Sequence, residues 1–307
     1  MKAYPPDSAR RALMLWPGGA DAVRTLERIA TAGNDVWRFD HAARPYILRL
    51  THDAWRTRAM NLAECAFLEH AFARGARVHR PVPALSGARV EAVDDASASV
   101  FTWAPGDEVT RADPRWGEPL FREWGRALAD LHDAAEGYEG PPRWEWRDEG
   151  LLADADRILP AADGEIRAQR DELDARLAAL PVTRSNFGLI HADFAPPNFR
   201  YGPDGRITSF DFGNLCRHWF VSDLVISFST LRADSQRDRL RGWILAGYTE
   251  RRALDPAAWA ERDTFLRLRI LYVYLSRLVW FGPSPGETRR ETLALLRALV
   301  LERVTWP

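Results

Sequence analysis

One stretch limits what this chain can be more than any other: Gly188–Asn214, GLIHADFAPPNFRYGPDGRITSFDFGN. It holds His191-x-Asp193-x-x-x-x-Asn198, then two short β-prone runs around Gly202-Pro203-Asp204-Gly205, then Asp211-Phe212-Gly213. Pro203-Asp204-Gly205 is turn chemistry, so the flanking runs fold back on each other and bring Asn198 near Asp211. A carboxylate, an amide and a second carboxylate at this spacing suit a nucleoside triphosphate and its metal. The stretch reads as a phosphotransferase centre.

Each residue has its part. A carboxylate is ionised at neutral pH and can orient a hydroxyl or take its proton, which is the role expected of Asp193. Asn198 and Asp211 supply hard oxygen atoms, and Mg2+ needs only one or two from a protein because water and phosphate fill its other positions. His191 is expected to hold the loop through backbone contacts rather than to bind metal. Asp223 follows Ser222 and reads as the cap of a helix over 224–231, a placement compatible with a brace beneath the loop. No Cys/His cluster has zinc spacing and no G-x-G-x-x-G is present, so zinc hydrolase and dehydrogenase readings find no support.

Ahead of this stretch the pattern changes character. Val23, Leu26 and Ile29 predict a helix over 21–32, ended by Gly33. VWRFD (36–40) and YILRLT (46–51) predict a hairpin, and Gly33-Asn34 before it is a candidate phosphate-covering loop. A helix is expected over 57–74, from the spacing of Leu62, Cys65, Ala66, Leu68, Glu69 and Phe72, and short strands over 90–93 and 99–103. Ala104-Pro105-Gly106-Asp107 breaks the pattern, and beyond it helices dominate: 116–134, 164–180, three or four after Asp223, and a tail helix over 287–303. The expected division is therefore 1–103, a sheet lobe for the nucleotide, and 104–307, a helical lobe with the catalytic loop and acceptor site.

Composition narrows the partners. A net charge of −1 offers no field for nucleic acid or an anionic membrane surface. No apolar run approaches the roughly 20 residues that span a bilayer, the N-terminus lacks a signal-peptide core, and two cysteines make no disulfide framework. A cytoplasmic location is the expectation. Lys2 is the only lysine, so a mechanism requiring an internal lysine is excluded.

Residues 33–230 resemble the aminoglycoside phosphotransferase and type II homoserine kinase family, which includes choline and fructosamine kinases. The Gly188–Asn214 motif carries the likeness, supported by WGRALADLH (124–132) and by Ser222-Asp223-Leu224. The resemblance implies an α+β, two-lobed protein-kinase-like fold, with ATP and Mg2+ as cofactors and a small-molecule hydroxyl as acceptor. It implies Asp193 as the catalytic aspartate, Asn198 and Asp211 as metal ligands, and a backbone hinge for adenine at Thr102, Trp103 and Ala104. Glu64 stands where kinases keep the glutamate that pairs with a strand lysine, with Glu69 as runner-up. YILRL puts Arg49 at the lysine's position; a planar guanidinium is not a point-like ammonium, but it can bind phosphate and pair with Glu64.

Two other readings stay open. A Ser/Thr protein kinase of the same fold is disfavoured because only nine residues separate Gly213 from Asp223, too few for a peptide-docking segment. A nucleotide-binding scaffold with weak or no catalysis is motivated by Arg49 and the missing glycine-rich loop. By resemblance the acceptor is bound from roughly Arg232 onward. Trp243, Tyr248, Trp259, Tyr272, Tyr274 and Trp280 in that region could cage a cation, although such residues more often serve the core. Asp234 and Asp238 could meet an ammonium, but solvated surface is the plainer expectation.

Overall fold

Alternation of apolar and polar residues along VWRF sends Trp37 and Phe39 inward, and Leu48 and Leu50 of the next strand share their face. This is the seed of the sheet in the computed structural model, which describes residues 3–31 and 33–302. Six strands form it: β1 (Glu27–Ala30), β2 (Asp35–His41), β3 (Arg44–His52), β4 (Pro81–Val82), β5 (Glu91–Val93) and β6 (Ala96–Thr102). Their order is β1-β2-β3-β6-β4, with β5 also on β6, and every pairing is antiparallel. The fold is α+β, with the sheet in the N-terminal region.

The expected helix over 21–32, whose last position lies outside the described residues, is replaced by one short turn of helix, Gly19–Ala22, a 3-10 turn, and strand β1. The apolar residues at intervals of three were a coincidence of spacing. Edge pairing of Glu27–Ala30 with β2 satisfies the backbone instead, with a register shift between Arg28 and Ala30. The helix Pro6–Leu13, which sequence periodicity did not reveal, covers the sheet with Ala9, Ala12 and Leu13, and Trp16 beyond it donates from Nε1 to Val82 O at 2.9 Å.

The helix Arg58–Ala73 is where it was expected, capped by Thr57, whose Oγ1 accepts from Met60 N, and stopped at Gly75 in the left-handed region (φ 95°). Its buried face is turned from the one periodicity suggested. Glu64, Phe67, Leu68 and Ala71 face inward, whereas Leu62 and Phe72 are exposed.

By its own packing the chain divides into two units. The first contains the sheet and, in addition to the chain up to Trp116, the segments Tyr138–Arg143 and Pro196–Gly213. The second, Gly117–Gly137, Trp144–Ala195 and everything from Asn214, is helical around a two-stranded ribbon, Phe187–Ile190 against Cys216–Trp219. In it the helices Glu118–Ala135 and Arg237–Thr249 approach backbone to backbone through a pair of glycines. A Cβ on Gly125 would lie 1.9 Å from Ile244 O, and one on Gly247 the same distance from Arg122 O. A second core gathers on the helix Arg262–Phe281, with Phe265, Leu271 and Leu275 against Leu173 and Leu177 of the helix Gly164–Ala178. No helix among the described residues is long and apolar enough to cross a membrane.

Candidate active site

Arg49 is the departure from lysine that the sequence exposes, and its surroundings explain why an arginine works there structurally. Both side chains of the pair point into the sheet unit: Nη1 donates to Glu64 Oε1 at 2.8 Å and Nη2 to Oε2 at 2.6 Å, a two-pronged contact that lysine cannot make. Arg49 is 4% and Glu64 0% exposed, so the pair is withdrawn from solvent. Burial works against both charges, yet mutual attraction outweighs it: the guanidinium is held above and the carboxyl below its ordinary range, with Asp211 adding to the former. The other candidate, Glu69, instead pairs at the surface with Arg89 at 2.5 Å. Arg49 Nε is buried and has no hydrogen-bond partner among the described residues.

That guanidinium lines a cavity of about 420 Å3 lying wholly within the sheet unit. Its apolar wall includes Ile29, Val36, Ile47 and Phe101, with Arg49 4.8 Å over the Phe101 ring and His79 stacked on the same ring at 4.4 Å. Thr102, Trp103 and Ala104 all line it, as does Asn34 of the turn before β2. Thr102 N donates to Arg80 O at 2.9 Å and Thr102 Oγ1 accepts from Arg80 N, so the N–H of this residue is committed within the sheet.

Asn198 and Asp211 line the same cavity. The hairpin Phe199–Tyr201 with Ile207–Ser209 brings them there: Gly202 N donates to Arg206 O, Gly205 at φ 69° takes the turn, and Phe210 N closes the pair on Asn198 O at 2.9 Å. Asp211 itself adopts φ 62°, a left-handed conformation that a non-glycine residue holds at a cost. Two arginines that the sequence did not single out brace the next turn. Arg56 Nε and Arg143 Nη2 both donate to Gly213 O, at 3.2 and 2.9 Å. Their partners lie 157 and 70 residues away, so no local signal could have found them. An amide and a carboxylate in a cavity that a guanidinium also lines fit a metal-bound polyphosphate by donor chemistry.

Asp193 belongs to the helical unit, on the segment after the strand Phe187–Ile190. Here the reading of Asp223 as a cap fails. The helix runs Val221–Thr230, its N-cap is Phe220, and Asp223 is fully buried inside the first turn. Its carboxylate accepts His191 N at Oδ2 and Ala192 N at Oδ1, both at 2.8 Å, which fixes the peptides just ahead of Asp193. Burial opposes its charge, but His132 and these contacts hold the carboxyl below its ordinary range. His132 is kept neutral by burial; Tyr248 OH donates to Nδ1 at 2.9 Å, leaving the proton on Nε2 toward Asp223 at 3.3 Å. His191 acts through contacts of its own, Nδ1 accepting from Asp193 N at 3.3 Å. A further buried chain, Trp124 Nε1 to Ser227 Oγ to Phe194 O, holds the carbonyl of the residue after Asp193.

The aromatic cage is not formed. Tyr248 and Tyr274 are core residues bonded to His132 and Asp163, Trp280 is 53% exposed under Arg277, and Trp243 stacks with Arg239. Asp234 accepts from Gln236 N and Asp238 pairs with Arg241. Tyr272 lines a cavity, beside Arg269, whose Nη2 donates to Asp193 Oδ1 at 2.9 Å.

Known proteins carry the same arrangement of elements. An amicoumacin kinase of Bacillus subtilis (strain 168) is 33% identical over 296 residues, covering 90% of this chain and 86% of its own. A homoserine kinase of Gluconobacter oxydans (strain 621H) is 28% identical over 250 residues, 76% of each. Among solved structures, an amicoumacin kinase in complex with AMP-PNP, Ca2+ and Ami superposes with a TM-score of 0.88 at 26% identity, over 96% of this chain and 92% of that one. The model of the phosphotransferase enzyme family matches residues 25–262, most of the chain, and the chain belongs to that family.

Proposed function

We propose that the protein is an ATP-dependent kinase that transfers the γ-phosphate to a hydroxyl of a small molecule. The observation that carries this reading is the buried Arg49–Glu64 pair, which holds a guanidinium at the wall of the cavity shared with Asn198 and Asp211. The apolar wall around Phe101 suits a purine, and the Trp103 and Ala104 backbone would read its edge, since Thr102 N is already committed. Arg49 would orient the phosphates, with Glu64 fixing its rotamer. Asn198 and Asp211 would hold Mg2+, which when bound draws charge from the phosphate oxygens. The complex of the related amicoumacin kinase with AMP-PNP and Ca2+ supports a nucleotide with a divalent ion here.

Asp193 would orient the acceptor hydroxyl and take its proton as the new O–P bond forms and the bond to the ADP oxygen breaks. Because the transition state is loose, most of its contribution is placement. The names of relatives, an amicoumacin kinase and a homoserine kinase, support a small hydroxylated acceptor without selecting one.

The test is a thermal-shift and turnover screen of amino alcohols, aminoglycosides and sugars with AMP-PNP or ATP and Mg2+. Nucleotide at 100 times its dissociation constant is expected to stabilise the fold by about 2.7 kcal/mol, and at least one alcohol should give ADP release that Asp193→Asn removes. Undiminished turnover in that variant would sink the assignment.

A further inference from the structure

The helix Arg262–Phe281 turns Phe265, Leu268, Arg269 and Tyr272 to one side, the i, i+3, i+4, i+7 spacing of a single helical face. All four line a small cavity of about 60 Å3 inside the helical unit, opposite Trp146 and Leu152. Three of the four are apolar or aromatic and the fourth is a guanidinium with its side chain 17% exposed. A charge set in an apolar stripe costs desolvation unless a partner repays it. Its partner here is Asp193, at 2.9 Å, and a second Nη reaches Ala192 O at 3.5 Å, with the Tyr272 ring 5.5 Å away. Arg267, two residues earlier on the same helix, points elsewhere, to Glu172 and Gln169.

The peptide that Arg269 leans on is itself under tension. Ala192 sits at φ 62°, and its N–H is held by Asp223 from the other side. Asp193 is therefore fixed from two directions: by a buried carboxylate acting on the backbone, and by a guanidinium acting on the side chain from the wall of a cavity that Ala192 also lines.

We propose that this cavity receives the apolar part of the acceptor and that Arg269 is the positioning residue joining its occupancy to Asp193, an inference resting on the kinase reading above. An acceptor seated against Leu268 and Tyr272 meets the guanidinium that holds the base. Filling of the cavity and placement of the carboxylate are thereby one event.

The experiment uses full-length protein with Mg-ATP, measuring ADP release with the best alcohol from the screen and phosphate release with water as acceptor. Arg269→Ala is expected to lower the acceptor-dependent kcat about 10- to 100-fold while KM for ATP stays within about twofold, the cost of a carboxylate misplaced by about 1 Å. Water-dependent phosphate release should fall in parallel, so the comparison stands even if no alcohol in the screen reacts. Millimolar guanidinium chloride should restore about tenfold in Arg269→Ala and nothing in Asp193→Asn, a response that loss of a merely structural contact would not give. Arg269→Gln keeps most of the side-chain volume and serves if the alanine variant fails to fold. Leu152→Trp, at the partly exposed rim, should raise the acceptor KM without changing the thermal shift given by AMP-PNP. Activity of Arg269→Ala or Arg269→Gln within threefold of the parent, or an unchanged acceptor KM in Leu152→Trp, overturns the inference. Loss in Asp193→Asn with none in the Arg269 variants refutes this inference alone, whereas full activity in Asp193→Asn refutes the kinase reading beneath it.

Discussion

Two arginine–carboxylate pairs mark the two units, and they differ in almost every physical respect. Arg49–Glu64 is two-pronged and buried, the side chains 5% and 0% exposed; Arg269–Asp193 is a single contact with side chains 17% and 35% exposed. A buried pair contributes little over an apolar substitute but is costly to break, because the survivor is left as an uncompensated charge. A partly exposed pair is worth less to stability. The first pair therefore behaves as part of the core that shapes the cavity of the sheet unit, and the second as a contact that places the proposed catalytic carboxylate.

The comparison breaks if the two pairs respond alike to mutation. Asp193→Asn, in the exposed pair, is expected to reduce turnover about 10²- to 10⁴-fold with less than about 1 kcal/mol lost in urea unfolding. Glu64→Ala should show the reverse emphasis: about 3–5 kcal/mol lost in the same unfolding experiment, with weaker AMP-PNP binding following from the disturbed guanidinium. If Glu64→Ala were as stable as the parent, Arg49 would have found another partner and the buried-pair description would be wrong.

Acid sharpens the distinction from another direction. Burial pushes the His218 imidazole from 6.5 down to about 3, and His218 lies in the helical unit with its Nδ1 accepting Trp219 N at 2.9 Å. Below pH 6.5 the unfolded chain takes up a proton that the folded chain refuses, so stability falls as the pH drops from 6.5 toward 3. Glu64, held low by Arg49, also loses its contribution as pH falls through its depressed value. Urea unfolding of His218→Gln across pH 7 to 4 should give a shallower acid slope than the parent; an identical slope would remove His218 from the account. The smallest effect is reserved for the surface pair: Glu69→Gln should change stability by less than about 0.5 kcal/mol. A loss like that of Glu64→Ala would overturn the choice between the two glutamates.

What could be read from sequence was what is local. The Asn198-to-Asp211 hairpin, the strand carrying Arg49 and the helix carrying Glu64 all follow from turn residues, alternation and capping within a few positions. What could not be read depended on distant partners. Asp223 looked like a cap because Ser-Asp before an apolar run usually is one; its true hydrogen-bond partners are 31 and 32 residues back. Arg269 carried a faint signal, a charge in the apolar stripe Phe265/Leu268/Tyr272, but nothing in that stripe names Asp193, 76 residues earlier. Residues 27–30 were misread for a related reason, since an edge strand draws its shape from the strand beside it.

Arg49 has a practical consequence for anyone searching for such proteins by chemistry. Reagents that mark nucleotide pockets commonly acylate the amine of a strand lysine, and a guanidinium that stays protonated and buried is no nucleophile. Lys2 is the sole lysine of the sequence, and no lysine is among the residues that line the cavity, so a survey built on amine capture there would pass this protein by, whatever it binds.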